Sequence, residues 1–332
     1  MERSPIGVVI ATRDRSASLA VTLRHLLALP ERPEIVVVDN ASTDDTRALV
    51  AREFPRVRVV ALPSNRGALA RTHGVRALHT PYVAFSDDDS WWAPGALAEA
   101  ARLFDAHPRL GLVAARTLVG PRNEPDPLNE VLAASPLGPA VDLPGTQVLG
   151  FLACASVTRR TSYLDAGGFH PLLFFGAEET LLAYDLAARG WGVTHCPEVV
   201  AHHHPSPKPR PGRPAAQRRN EVLTAWLRRP LPHALARTRD LAADARRDPQ
   251  ARRALHETLT RLPGALRARR PLPPHLERAA RLLDTDPAGT HGRPGTDAAG
   301  TPSADAARTG DTADTADAAA GRRARAHLGG AP

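Results

Sequence analysis

The 332-residue chain is 42% hydrophobic, enough for one large or two modest domains with an ordinary core. Its net charge of +8 is carried almost wholly by arginine after His204, without the interleaved aromatic residues of a single-strand-binding surface, so no nucleic-acid partner is expected. No apolar stretch approaches the roughly 18 residues of a membrane span, and no signal region precedes the first strand. We therefore expect a cytoplasmic protein, with at most a peripheral contact at the inner face of the membrane.

The first ninety residues alternate strands and helices. Ile6–Ala11 and Glu34–Asp39 are apolar runs typical of strands buried on both faces, and helical spacing of leucines predicts a helix over Ser16–Leu29 between them. Arg56–Leu62 and Pro81–Ser86 are further predicted strands. This alternation indicates a parallel sheet with helices on both faces, in which a ligand binds beyond the carboxyl ends of the strands.

The next segment is less regular. A helix is predicted over Pro94–His107 and a strand over Leu110–Ala115. Pro121–Gly145 is rich in proline and glycine and is predicted to be a long loop. Leu149–Val157 has the composition of another buried strand, and Glu178–Arg189 is a predicted helix closed by the glycine that follows it.

The composition changes past Pro205. Pro205–Pro214 is a predicted Pro/Arg linker, and Gln217–Arg229 and Leu231–Leu283 are predicted amphipathic helices with their arginines on a solvated face. From about Asp284 the chain lacks periodicity, and its composition predicts disorder.

Asp87-Asp88-Asp89 follows the fourth predicted strand directly. Three adjacent carboxylates repel one another, so they require solvent, a helix to cap or a cation. Carboxylates at a strand end suit Mg²⁺ or Mn²⁺ bridged to a diphosphate. A solvated turn that caps the next helix is the alternative, but the strand before the triplet and Trp91-Trp92 after it favour the metal site.

Polar residues also follow the neighbouring strands. Asp39 and Thr12 lie at the ends of two of them, where a carboxylate can accept hydrogen bonds from a nucleotide base or, alternatively, cap the polar run that follows. Gly67, after Asn65, permits close backbone approach. Arg71 can pair with phosphate or with the carboxylates.

The segments VVIATRDR, EIVVVDNASTDDT, NRGALARTHGV and FSDDDSWWAPGAL, in this order, resemble the family 2 glycosyltransferases of the GT-A fold. The resemblance spans about residues 5–205. It implies an α/β class with a Rossmann-like, mostly parallel sheet flanked by helices, and a helical C-terminal extension. The implied organisation is a GT-A domain at 1–205 (nucleotide-binding half about 1–90, acceptor half about 91–205), a linker and Arg-rich helical extension at 206–284, and a low-complexity tail at 285–332.

The resemblance also implies roles for individual residues. The loop after the first strand and the aspartate matching Asp39 hold the nucleotide base in that family, and the acidic block is its DXD motif. Asp88 falls near the donor's ribose and phosphates, and Asp89 at the position of the ligand for Mn²⁺ or Mg²⁺. The donor-binding set implied here is Ala11, Thr12, Arg13, Asp39, Asn65, Arg71, Asp87 and Asp88.

The acceptor side has a counterpart in Glu178-Glu179. The pair resembles a Glu-Asp pair that begins a helix ending in Gly-Trp, as Gly190-Trp191 does here. The second acid is the family's catalytic base, which assigns that role to Glu179. The sequence departs from the family twice, with Glu179 in place of the commoner aspartate and Leu181 in place of a second frequent aspartate. The alternative is that both glutamates are first-turn charges that favour a helix N-terminus.

His202-His203-His204 ends another strand-like stretch. Imidazole is a good metal ligand, and the family often has a histidine here that completes the metal site. His203 is the first choice by position. Side chains alternate along a strand, so His202 and His204 should face away from it.

The function implied is inverting, metal-dependent transfer of a single hexosyl or deoxyhexosyl unit from a nucleotide-diphosphate sugar to an acceptor hydroxyl. The Gln-x-x-Arg-Trp block and membrane helices of processive members are absent from the sequence. The acceptor is left open among a glycan, a lipid-linked molecule and a small molecule. The alternatives are a degenerate nucleotide-sugar-binding protein and a sugar nucleotidyltransferase, although the latter needs a Gly-rich loop after the first strand.

Overall fold

A ten-stranded sheet runs through the computed structural model, which describes residues 4–206 and 212–285, all within one compact unit. Its strands are β1 (Ile6–Thr12), β2 (Glu34–Asp39), β3 (Arg58–Ala61), β4 (Tyr82–Asp87), β5 (Ser90–Trp92), β6 (Leu110–Val119), β7 (Glu124–Pro125), β8 (Thr146–Gln147), β9 (Ser156–Arg159) and β10 (Gly192–His203). The strand order is β3-β2-β1-β4-β9-β6-β10-β5, with β7 beside β6 and β8 beside β10.

The first four strands of the chain that lie side by side, β3, β2, β1 and β4, are all parallel, as predicted. In their register Thr12 lies opposite Asp39, and Ala11 lies opposite Asp87. Three strand ends therefore meet at one edge of the sheet. Beyond β4 the sheet is mixed, because β9 runs antiparallel to both β4 and β6, and β5 runs antiparallel to β10.

Helices cover both faces of the sheet. The helices of this part are α1 (Ser16–Leu27), α2 (Thr46–Glu53), α3 (Ala70–Ala77), α4 (Ala96–Ala106), α5 (Leu128–Ala133), α6 (Arg160–Asp165) and α7 (Glu179–Ala187), with 3-10 turns at Gly67–Leu69 and Ala153–Ala155. Alternate residues of β1 belong to different cores: Val8 and Ile10 pack with α1, α2 and α4, whereas Val9 packs with α3, α5, α6 and α7. The predicted α/β architecture is therefore confirmed.

Two predictions for the middle of the chain are corrected. The strand expected over Leu149–Val157 begins only at Ser156, because the preceding residues form a turn beneath the acidic triplet, where Ser90 Oγ donates to the Cys154 carbonyl over 3.3 Å. Burial makes this segment apolar whether or not its backbone is extended. The long loop expected over Pro121–Gly145 contains the strand β7 and the helix α5. The two buried leucines of α5 are too few to give a helical pattern in the sequence.

The C-terminal part consists of four helices where two stretches were predicted. Residues 207–211 of the predicted linker, and all of the predicted tail beyond Thr285, lie outside the described residues. Across the two described ranges, no helix has both the length and the apolar character that a membrane crossing requires. The four helices are α8 (Arg213–Arg228), α9 (Leu231–Asp244), α10 (Pro249–Arg267) and α11 (Pro274–Thr285).

The solvated face expected for the C-terminal arginines is wrong for three of them, Arg219, Arg228 and Arg229, which are buried. The Arg228 guanidinium holds the buried Asp185 of α7 through two contacts of 2.5 and 2.9 Å. Leu181 of α7 also packs in the core of the C-terminal helices. These arginines therefore join the C-terminal helices to the α/β part. An amphipathic sequence pattern alone does not distinguish such buried arginines from arginines on the surface.

Replacing Arg228 with alanine should destabilise the protein by about 3–5 kcal/mol, because the Asp185 carboxylate stays buried without its cation. The measurement is equilibrium unfolding in urea. Arg239→Ala is the matched control on α9, since that side chain is 79% exposed and pairs only with its sequence neighbour. Equal urea midpoints for the two variants would contradict the structural role of the Arg228 pair.

Candidate active site

The acidic triplet forms the turn between β4 and β5 at the carboxyl edge of the sheet. The backbone N–H of Asp87 donates to Ser90 Oγ over 2.7 Å, which tightens the turn. Asp88 and Asp89 are buried, and the Asp87 side chain is 25% exposed. The triplet is therefore not a solvated turn. The following helix, α4, has Gly95 as its N-cap and no side-chain cap among the described residues, so the capping alternative does not account for the triplet either.

Arg15, three residues beyond β1, contacts two of the three carboxylates. Its Nε lies 2.8 Å from Asp88 Oδ1, and a terminal nitrogen lies 2.9 Å from Asp89 Oδ2. Thr12 Oγ1 donates to the other Asp88 oxygen over 2.8 Å. Burial raises the pKa of Asp88 to about 7, and the Arg15 charge limits that rise. Sequence reasoning missed Arg15, because an arginine in a loop after a strand carries no specific signal.

Arg71 of α3 connects the triplet to the start of α7. It is 3% exposed, its guanidinium pairs with Asp87, and its other terminal nitrogen lies 3.8 Å from Glu178 Oε1. Burial opposes the charged guanidinium, but Asp87 and Glu178 more than compensate and leave the pKa of Arg71 raised. Of the two kinds of partner expected for Arg71, the structure shows the carboxylates.

Glu178 and Glu179 lie where α7 begins. Glu178 is buried, and Glu179 is half-buried as a residue, but the Oε2 atom of each has no hydrogen-bond partner among the residues that the structure describes. Burial raises the pKa of both carboxyl groups. The charges of Glu179 and Asp87 raise the pKa of Glu178 further. Buried polar atoms are rarely left unpaired, so these two oxygens are candidates for contact with a substrate.

Charged groups of the acidic triplet and of the glutamate pair act on the same buried thiol. Asp87, Asp89, Arg71 and Glu179 all act electrostatically on the thiol of Cys154, which lies in the turn beneath the triplet. Burial, reinforced by those carboxylates, holds the pKa of this thiol well above its usual range. Cys154 is thus a neutral, buried thiol, and it is the Arg71 contacts with Asp87 and Glu178 that join the acidic triplet and the glutamate pair into one site.

His203 faces the triplet and its two neighbours do not. His203 Nε2 lies 3.6 Å from Asp89 Oδ1. His202 Nδ1 lies 2.9 Å from Asn123 Oδ1, and the His204 ring lies against Trp91 with centroids 4.5 Å apart. This arrangement has the alternation expected of three residues at a strand end.

Asp89 and His203 fit a shared divalent cation. Two ligands each at about 2.1 Å from one ion lie about 3–4 Å apart, and their facing atoms are 3.6 Å apart. Within residues 4–206 and 212–285, no cluster of three or more histidine, cysteine or acidic side chains has the geometry of a metal site. An ion held by Asp89 and His203 would therefore need further ligands, such as water or phosphate oxygens.

The remaining predicted donor residues lie at the neighbouring strand ends. Asp39 is buried, with Oδ1 accepting from the backbone N–H of Ser42 over 3.1 Å and Oδ2 lying 3.4 Å from Arg47 Nε. The capping role considered for Asp39 is therefore present in this structure. Asn65 Oδ1 accepts from the Gly67 backbone N–H over 2.9 Å, within its own turn. Ala11 pairs within the sheet, and Arg13 is exposed at the loop beside it.

A close backbone contact joins the two halves of the site. The Ala68 N–H donates to the Phe174 carbonyl over 2.6 Å. Gly67 has a φ of +57°, and a Cβ at this position would lie 2.1 Å from the same carbonyl oxygen. Gly67, predicted to permit close backbone approach, is thus required where the turn at Gly67–Leu69 meets the segment that leads into Glu178.

Comparison with known families supports the sequence resemblance. Residues 7–165 match a family model described as glycosyl transferase family 2. Two curated proteins of Rhizobium meliloti (strain 1021) match shorter stretches. Succinoglycan biosynthesis protein ExoU is 36% identical over 99 residues, covering 28% of this chain and 29% of that protein, and succinoglycan biosynthesis protein ExoO is 43% identical over 75 residues, covering 22% of each. Each alignment spans less than a third of the relative.

Solved structures share the fold at low identity. The mannosyltransferase PcManGT from Pyrobaculum calidifontis, in complex with GDP-Man and Mn²⁺, has a TM-score of 0.51 at 21% identity, over 88% of this chain and 79% of that one. S. aureus TarS 1–349 in complex with UDP-GlcNAc has a TM-score of 0.54 at 18% identity, over 77% and 72%. GalNAc-T7 with UDP, GalNAc and Mn²⁺ has a TM-score of 0.56 at 14% identity, over 83% and 53%.

Replacing Glu178 with glutamine should flatten the pH dependence of stability. The pKa of Glu178 is raised in the folded state above its ordinary value of 4.5, so the folded protein keeps a proton that the unfolded chain releases. The stability from this group is full below the ordinary pKa and is lost as pH rises through the raised one. In urea unfolding, Glu178→Gln should therefore gain stability over the native protein at about pH 8 but not at about pH 4.

The control for this comparison is Glu124→Gln, because Glu124 is an exposed residue of β7. It should leave the native pH profile of stability unchanged. A native profile for Glu178→Gln as well would contradict the burial of the Glu178 carboxyl group.

Proposed function

Since residues 7–165 belong to glycosyl transferase family 2 and the chain has the GT-A fold predicted from its sequence, we propose that it moves a single sugar from a nucleotide-sugar donor to an acceptor hydroxyl, with inversion at the anomeric carbon. The observation that carries this proposal is the pair of unpartnered glutamate oxygens beside the acidic triplet. They supply a proton acceptor on one side of a site whose other side is built for a diphosphate.

We assign the donor to the edge formed by the ends of β1, β2 and β4. The proteins of similar fold were solved with GDP-Man and with UDP-GlcNAc, which supports a nucleotide-sugar donor here. Asp39 and the loop Ala11-Thr12-Arg13 would hold the base, with Asn65 shaping the adjoining turn. Asp87 and Asp88 would face the ribose and phosphates, each fixed by a cationic neighbour, Arg71 or Arg15.

We assign Asp89 and His203 as the residues that would hold a divalent cation, Mn²⁺ or Mg²⁺. Bound there, the cation would supply positive charge against the nucleoside diphosphate that departs. The chain's part is to orient these two ligands. The backbone N–H of His204 donates to the Asp89 carbonyl over 2.7 Å, which fixes the turn against β10, and the register of β10 with β5 sets the direction of His203.

We assign Glu179 as the general base. As an acceptor oxygen attacks the anomeric carbon, its proton would pass to Glu179 Oε2, the buried oxygen without a partner. Burial raises the pKa of Glu179, which brings a carboxylate closer to the basicity that proton abstraction near neutral pH requires. Glu178 and Arg71 would complete the charge environment of the base, since Arg71 interacts with both glutamates.

The departure at Leu181 has a structural explanation. Leu181 is buried in the core that α7 shares with the C-terminal helices, where an aspartate would lose its hydration without a partner. For the acceptor we favour a glycan, because both curated relatives are named for succinoglycan biosynthesis, over a lipid-linked or a small molecule. The proposed location is the cytoplasm, with a peripheral contact of the exposed arginines at an anionic membrane face.

Glu179→Gln should lower turnover of the sugar donor by about 100-fold or more, because a glutamine of the same size cannot accept the proton. The measurement is release of nucleoside diphosphate from UDP- and GDP-sugars with Mn²⁺, with water as the acceptor. Glu198→Gln, at an exposed position of β10, is the control and should behave as the native protein does.

Near-native turnover by Glu179→Gln would overturn the assignment of the base. Binding of nucleotide-sugars by the native protein with no turnover of any of them would instead favour the degenerate binding protein over the transferase.

Asp89→Ala should abolish turnover and also remove the effect of metal on nucleotide binding, because one of two protein ligands is lost. The measurement is thermal stabilisation by UDP and by GDP, each with and without Mn²⁺. Asp165→Ala is the control, since its side chain is 59% exposed and away from the triplet. Mn²⁺-dependent stabilisation that persists in Asp89→Ala would remove Asp89 from the metal site.

A further inference from the structure

The segment that leads into the glutamate pair has an unusual backbone. In this segment, residues 173–177, here named the pre-helix loop, Phe174 and Ala177 have φ values of +64° and +55°, and Gly176 has a φ of +91°. Two non-glycine residues in the left-handed region within four positions are disfavoured locally and persist only where surrounding contacts hold them. The contacts that hold the pre-helix loop therefore also set the direction in which Glu178 and Glu179 enter α7.

One side chain from the C-terminal helices supplies most of those contacts. Asn220 of α8 is 0% exposed, and its Nδ2 lies within hydrogen-bonding distance of three carbonyls, those of Leu173 at 2.8 Å, Phe175 at 3.1 Å and Gly176, so its two N–H groups are shared among three acceptors. Its Oδ1 accepts from Arg219 Nε over 2.9 Å. The amide orientation is fixed, because only its nitrogen can donate to carbonyls and only its oxygen can accept from a guanidinium.

The neighbouring arginine strengthens this attachment. Arg219 is also buried, and a terminal nitrogen donates to the Leu173 carbonyl over 2.8 Å, while its other terminal nitrogen pairs with Glu257 of α10 over 2.5 Å. The Arg228 pair with Asp185, two turns further along α8, fixes the same helix to α7. The donors that hold the pre-helix loop are thus part of a helix that Arg219 fixes to α10 and Arg228 fixes to α7.

On the opposite side of the pre-helix loop, the Ala68 N–H donates to the Phe174 carbonyl. The loop therefore lies between the turn at Gly67–Leu69 and α8, where the Asn220 and Arg219 side chains supply the donors described above. Carbonyls that lose a buried donor remain desolvated, so the loop would move to recover hydrogen bonds if Asn220 were replaced.

We propose that Asn220 is a positioning residue for sugar transfer, which holds the pre-helix loop so that Glu178 and Glu179 face the acidic triplet. The inference rests on the proposed function and extends it, because it gives the C-terminal helices a part in the reaction. Asn220 touches neither the donor-binding residues nor the two glutamates in the contacts described, and it acts through the backbone. A displacement of the base by about 1 Å is enough to cost on the order of 100-fold in rate.

The test replaces Asn220 with leucine, which has a similar size and no donor. We expect kcat for release of nucleoside diphosphate to fall at least about tenfold, while the affinities for UDP and GDP with Mn²⁺ change less than about twofold. Thr238→Val is the matched control, because it removes the hydrogen bond between Trp226 Nε1 and Thr238 Oγ1, 2.9 Å long, inside the C-terminal helices and away from the pre-helix loop. This control should lose thermal stability and keep the native kcat.

A second measurement separates positioning from general loss of structure. Glu179→Asp shortens the base, and its combination with Asn220→Leu should reduce kcat by clearly less than the product of the two single effects, because both changes misplace the same carboxylate. Asn220→Ser, which is smaller and keeps one donor, serves for the same cycle if the leucine variant does not fold. A native kcat in the Asn220 variants, or effects that multiply fully, would overturn the proposal.

The outcome also distinguishes this proposal from the proposed function. If Glu179→Gln abolishes turnover and the Asn220 variants turn over normally, only the positioning role fails. If Glu179→Gln itself turns over normally, the assignment of the base fails whatever the Asn220 variants do.

Discussion

The site depends on a balance of charge between five carboxylates and two arginines. Asp87, Asp88, Asp89, Glu178 and Glu179 occupy a largely buried region, and Arg15 and Arg71 are the cations paired with them. Burying an uncompensated carboxylate is costly, so the positions of the two guanidinium groups decide which acids are ionised. Each arginine also joins separate elements, Arg15 the loop after β1 with the acidic turn, and Arg71 that turn with the start of α7.

Much of this arrangement could be predicted because its residues follow local sequence patterns. The runs IGVVIA and EIVVVD are typical of strands buried on both faces of a parallel sheet, and the strand before Asp87 places the triplet at the same edge as Thr12 and Asp39. The family resemblance made His203 the first choice by position, and alternation along a strand predicts that its side chain and those of its two neighbours face opposite ways. The Gly67 prediction likewise followed from chemistry, since only glycine tolerates a carbonyl oxygen so near the Cβ position.

The rest could not be predicted because it depends on partners remote in sequence. Arg15 has the same residue type and loop setting as any surface arginine, and its role follows only from contact with residues more than seventy positions away. Arg219, Arg228 and Arg229 follow a solvated amphipathic pattern, yet each is buried against another element. Asn220 has no motif at all. The segment before Ser156 has the apolar sequence of a strand because burial produces such a sequence in a turn as readily as in a strand.

The guanidinium of Arg15 also affects how ions from solution can approach the acidic turn. Because Arg15 contacts both Asp88 and Asp89, the acidic turn already has an internal counter-ion. At the donor and metal sites proposed above, a cation that arrived alone would have to compete with Arg15 for the same oxygens. A cation accompanied by a diphosphate would bring an anion to which the released guanidinium could turn, so the proposed site would favour ion–nucleotide complexes over free ions.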